Sequence, residues 1–135
     1  FGRVDFVGSM GWSRDKINLQ QTTDYALEVA RLCKMHDKQL VMGGGVSIES
    51  IEAIKQVAAV RLDRFETRKV VFHANTALAG DIELGLLNAV HFELLWLVNK
   101  RDYYTHISIE DKKRIEMLEA RWEELKSWYA KGSRK

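Results

Sequence analysis

Proline is absent from the 135 residues and cysteine occurs once, so glycine and capping residues alone punctuate the chain and no internal disulfide can form. The lone Cys33 falls among apolar residues at helical spacing, the pattern of a core thiol in a reducing, cytoplasmic compartment. Charge of one sign is also missing. Lys and Arg number 21 against 19 Asp and Glu, and a formal net charge of +2 gives no field that argues for nucleic acid or a membrane as partner. The longest apolar stretch, Ile82 to Val98, carries Glu83, Asn88, His91 and Glu93, which reads as a buried or interface helix and not a membrane span. No basic segment leads into an apolar one as in a signal peptide, and a start at Phe1 reads as a cut or processed end.

What is present suffices for a folded domain, since 46% of the residues are hydrophobic and 30% charged in a chain of ordinary domain size. Arg3-Val4-Asp5-Phe6-Val7-Gly8 alternates polar and apolar residues, which predicts a strand running into a loop through Ser9, Gly11 and Trp12. Ala26, Val29, Ala30 and Cys33 then form a helical stripe. Gln39-Leu40-Val41-Met42 predicts a second strand, closed by Gly43-Gly44-Gly45, and Ser47 caps a helix that turns Ile48, Ile51, Ile54 and Ala58 inward. Lys69-Val70-Val71-Phe72 predicts a third strand, with Val60 to Phe65 either a strand itself or its irregular approach.

A helix follows from Ile82 to about Asn99, apolar around most of its circumference. Ser108-Ile109-Glu110-Asp111 resembles a capping box that opens another, whose Ile115, Leu118, Trp122, Leu125 and Tyr129 make the seam of a packed helix. The order is βαβαβα plus an extra C-terminal helix, which predicts an α/β fold with parallel strands. Residues 1–100 form the three βα units, 101–130 the packing helix, and 131–135 a frayed basic tail.

In such a fold ligands bind at the carboxyl ends of the strands. Gly43, Gly44, Gly45 and Ser47 form either a tight strand-to-helix turn or a place where backbone amides approach an anion. Arg64, Glu66, Arg68 and Lys69 form either a salt-bridged strand entrance or a carboxylate or phosphate site. If Val60 to Arg64 is the strand, that cluster lies on the functional rim. His73 at a strand end is a structural imidazole or an acid-base group. Trp12 is a candidate pocket wall. Asp5 and Asp15 flank the first loop and are either ordinary surface acids or partial ligands of Mg²⁺ that need another carboxylate.

With Val4-Asp5-Phe6-Val7-Gly8-Ser9 followed by Gly43-Gly44-Gly45-Val46-Ser47, residues 3 to 99 resemble the last three βα units of a TIM barrel. The resemblance is to the 2-oxo-acid aldolase and citrate lyase family of phosphoenolpyruvate/pyruvate-type barrels. It implies a half TIM barrel that makes or breaks a C–C bond in a small 2-oxo acid or acyl thioester by stabilising an enolate. It also implies a Mg²⁺ ion. Gly11 stands where the family carries its Asp, which leaves Asp15 as the substitute metal ligand. The expected contacts are His73, Arg68 and Glu66 as catalytic residues and Ser9, Trp12, Gly43, Gly44, Gly45, Ser47 and Arg64 as substrate-binding ones. A half barrel exposes strand edges and half an interior, so self-association or the missing barrel half is the expected partner. The alternative is a non-catalytic oligomerisation or regulatory module that has lost the metal ligand at Gly11.

Overall fold

The segment Arg3–Ser9 is a helix, α1, and not the expected strand. Its two buried side chains, Arg3 and Val7, are four residues apart, so the buried face has helical spacing and includes a charged residue. The backbone closes helical bonds from Phe6 N to Gly2 O at 2.9 Å and from Met10 N to Phe6 O at 3.1 Å. Strand-like pairing at this end is a parallel bridge between Gly2 and Gly43.

In the computed structural model, which describes residues 1–132, the chain divides into two units, Phe1–Leu94 and Leu95–Lys135. In the first unit α1 leads through a 3-10 turn, Arg14–Asn18, into helix α2, Gln20–Met35. Strand β1, Val41–Met42, ends at the glycine turn, and a 3-10 turn, Ile48–Ser50, runs into helix α3, Ile51–Ala58. Strand β2, Arg64–Glu66, lies parallel to β1, with Val41 opposite Arg64 and Met42 opposite Phe65. Strand β3, Val71–His73, lies antiparallel to β2. Helices α4, Ala74–Ala79, and α5, Ile82–Gly132, follow.

The expected half TIM barrel of parallel strands is therefore not the fold. The sheet is a small mixed one in the order β1-β2-β3, and helix dominates the chain. The reason for β3 is chain length: residues 67–70 make a turn, closed by Thr67 N to Val70 O at 2.9 Å, and so short a link joins only antiparallel neighbours. The expected break between two C-terminal helices is also missing. No glycine or proline stands between Leu86 and Lys131, so nothing forces the backbone out of helix at Ser108. Lys131 and Gly132 of the expected frayed tail are helical, and residues 133–135 lie outside the described residues.

The inward stripes of α2 and α3 carry the core of the first unit. Ala26 and Ala30 are fully buried, with Val29 and Cys33 packed beside them, and Ile51 and Ile54 are buried while Ile48 is exposed. Met42 and Phe65 fill the space between helices and sheet, with Phe65 stacked on Phe72 at 4.9 Å.

Asp63 ties the two parallel strands together. Its carboxylate accepts from Leu40 N at 2.8 Å and from Arg61 Nε at 3.0 Å, and its carbonyl accepts from Ala74 N at 3.0 Å. The Leu40 amide, aided by Arg61, holds the carboxyl below its usual range against partial burial. A depressed folded value stabilises the fold above the unfolded value near pH ~4 and stops doing so as pH falls through the folded one. Asp63→Asn will therefore be less stable than the wild type by about 1 kcal/mol near neutral pH. That gap will narrow as the pH falls below the carboxyl's usual value, as read from urea midpoints at neutral and acid pH.

Along α5 large apolar residues face solvent in both units: Leu84, Leu87 and Val90 in the first, Ile115, Leu118 and Trp122 in the second. By length and composition alone the helix also holds an 18-residue window, mean hydropathy 1.2, able to cross a membrane, with 17% of it buried.

Candidate functional site

The carboxyl ends of β1 and β2 do form a rim, and a cleft of about 630 Å³ opens there. Gly44 and Gly45 form one wall, Glu66, Arg68 and Lys69 of the β2–β3 turn another, and Asp5, Arg14 and Glu93 the remainder. The strand is Arg64–Glu66, so the residues that follow it, Arg68 and Lys69, lie at its carboxyl end.

Steric fit explains the glycines. Gly44 has φ +84°, and a Cβ there would stand 2.7 Å from Val4 N and 2.9 Å from Arg3 N, the backbone that opens α1. A Cβ on Gly43 would stand 2.9 Å from Glu66 Cγ. The turn thus lies directly against α1 on one side and the Glu66 side chain on the other, a closeness that a larger residue at Gly44 denies.

Arg3 clamps this turn from beneath. It is buried, donating from Nη2 to Gly45 O and from Nη1 to Asn18 Oδ1, each at 2.9 Å. Asn18 in turn donates to Glu49 Oε2 at 3.3 Å. Among the described residues no carboxylate forms an ion pair with Arg3 and its Nε has no partner. Burial accordingly lowers the guanidinium from its usual value.

The cleft carries both signs of charge: Arg14, Arg68 and Lys69 against Asp5, Glu66 and Glu93. Arg68 is 77% exposed, with Nε 3.8 Å from Glu93 Oε1, a loose pair that a carboxylate ligand could replace at little cost. Backbone, cations and acids together suit a small anion that also exchanges a proton.

Of the residues singled out from the sequence, Asp5, Gly44, Gly45, Glu66, Arg68 and Lys69 line this cleft, and Gly43 sits beneath Glu66. The others go elsewhere. His73 is paired in register with Arg64, at the opposite end of the sheet from Glu66, because β3 runs backwards. There His73 Nδ1 lies 3.4 Å from Thr76 Oγ1, and Arg64 donates to Gln39 Oε1 at 2.8 Å. Ser47 N donates to Ser50 Oγ at 2.7 Å and starts a helical turn. Ser9 is the last residue of α1 and Trp12 lies beyond it, roughly 10 Å along the helix axis from the glycine turn. Ser9 Oγ donates to Phe6 O, and Trp12 packs edge-on to Phe6 at 6.2 Å with Lys16 Nζ 5.6 Å from its ring centre.

Asp15 is on the exposed 3-10 turn outside the cleft, where the Ser13 side chain lowers its carboxyl. Sequence reasoning did not place Arg14 or Glu93 at the site. For Glu93 the signal was an acid interrupting an apolar run, and for Arg14 its place in the loop from Ser9 to Asp15. No family model matches this chain, and no curated protein or solved structure matches it significantly.

Proposed function

We propose that the chain supplies the carboxylate-binding part of a carbon–carbon lyase site, of aldolase or citrate lyase type, for a small 2-oxo acid or acyl thioester. One observation carries the reading: the Gly44–Gly45 turn shares a cleft with Arg14, Arg68 and Glu66. Arg68 and Arg14 hold the substrate's carboxylate, and the bare backbone of the turn lets the ligand lie close. When the C–C bond breaks, its electron pair moves toward the carbonyl and gives an enolate, whose charge the cleft's cations stabilise. Glu66, whose side chain lies against Gly43, hands over or takes the proton.

Mg²⁺, which the sequence resemblance implies, finds no complete ligand set: among the described residues no three His, Cys, Asp or Glu side chains gather to hold a metal ion. No step is routed through it. The exposed apolar length of α5 supports the reading of a protein that works in an assembly, by self-association or with further chains.

Titration calorimetry of the assembled protein with pyruvate and oxaloacetate, with and without Mg²⁺, tests the reading. Binding is expected, and Arg68→Ala should weaken it about tenfold or more, the worth of a charge-assisted contact. No heat from either acid overturns it. The second reading, a non-catalytic assembly module, is favoured by α5 itself: light scattering would then show a stable oligomer whose melting ignores both Mg²⁺ and oxo acids.

A further inference from the structure

We propose that the distal part of α5 pairs with the same segment of a second copy of this chain, antiparallel, in the register that sets Trp122 against Leu125 of that copy. The inference rests on the self-association named above and adds its partner, polarity and register.

Ile115, Leu118, Trp122, Leu125 and Tyr129 recur at alternating steps of three and four, and every one is exposed on the helix of the second unit. Such a seam is the pattern one helix presents to another. At its end a groove of about 380 Å³ is lined by Trp122, Leu125, Lys126, Trp128 and Tyr129, room for a side chain from outside.

The residues that flank the seam choose the occupant. On one edge stand Lys112, Glu119 and Lys126, on the other Arg114, Arg121 and Trp128. Lys126 Nζ lies 5.8 Å from the Trp122 ring centre, which places it at the seam's margin. In a parallel pair opposite edges meet: Arg114 faces Glu119, but Arg121 faces Lys126, and Trp122 faces Trp122. One attractive charge pair is then set against a repulsive one, and two indoles compete for one layer.

In an antiparallel pair like edges meet. With Trp122 opposite Leu125 and Leu118 opposite Tyr129, each aromatic side chain is matched by a leucine. Glu119 then faces Lys126, and Arg121 lies beside the Trp128 ring, and the twofold axis makes each contact twice. Sliding the pair by one heptad toward the amino terminus sets Glu119 on Glu119 and Arg121 on Arg121. The alternation of charge therefore fits a second copy in one register.

Sedimentation equilibrium of the full chain tests this through Lys126→Glu, Glu119→Lys and the two combined. All three changes are at exposed helical positions outside the cleft, with Glu110→Lys as a control away from the seam. Each single change is expected to weaken association about tenfold or more, and the double change to restore it, because the pair is re-formed with its charges exchanged. Tighter association of Lys126→Glu overturns the antiparallel polarity alone, since that residue would then face Arg121. A monomeric wild type overturns self-association as well, and unchanged association in all variants places the interface elsewhere and overturns the proposal. Oxo-acid titration of the same variants reports the cleft separately.

Discussion

Gly44→Ala will cost the fold about 3 kcal/mol or more and, on the function proposed above, abolish oxo-acid binding with it. Two penalties coincide at this position. At φ +84° an L side chain is strained, and the added methyl meets Val4 N at 2.7 Å and Arg3 N at 2.9 Å. These are backbone atoms of α1, and α1 is held to the same turn by Arg3 N donating to Gly43 O at 2.9 Å. The helix therefore cannot yield without breaking the bond that docks it. Gly8→Ala is the matching control. A methyl there meets nothing within 4 Å on the same helix, so it should stabilise the protein by about 0.5–1 kcal/mol through the lost backbone freedom of the unfolded chain. Urea unfolding of both variants checks the contrast. Equal stability of the two would show that the turn does not lie against α1.

Arg3→Met will lower stability by about 3 kcal/mol and loosen the cleft from below. Methionine fills much of the space and removes the burial penalty that lowers the guanidinium. It leaves Gly45 O and Asn18 Oδ1 without their donor, and that loss is the larger because both accept from a charged group. Arg3→Lys should recover only part: a single ammonium on a flexible stem cannot span two acceptors that a planar fork reaches together. Urea midpoints give the stability change, and calorimetry with oxaloacetate gives the effect on binding. If Arg3→Met were as stable as the wild type, the buried guanidinium would be a passive filler and not the clamp of the turn.

Parts of this structure are legible without coordinates. The stripes Ala26-Ala30 and Ile51-Ile54 report their buried faces because a helix repeats its environment every three to four residues. The glycine turn is legible as a turn because it follows a short apolar strand and precedes a capped helix. The seam from Ile115 to Tyr129 is legible for the same reason as the stripes. Its exposure is not, since periodicity names an apolar face without naming what covers it.

Other features required the folded chain. Arg3 stood in an alternating run that read as a strand, and only packing revealed a buried cation held by a backbone carbonyl and a side-chain amide. Composition and local period established the amphipathic faces of α2 and α3, the short strand at Val41–Met42 and the place of its glycine turn, and left open whether the Val60 to Phe65 stretch is a strand. Tertiary structure decided the reversal of β3 that carries His73 away from Glu66, the docking of α1 against Gly44, and the meeting of Arg14 and Glu93 at one cleft. Sequence pattern records each residue's immediate neighbours along the chain, whereas these outcomes depend on segments far apart in sequence competing for the same few ångströms of space.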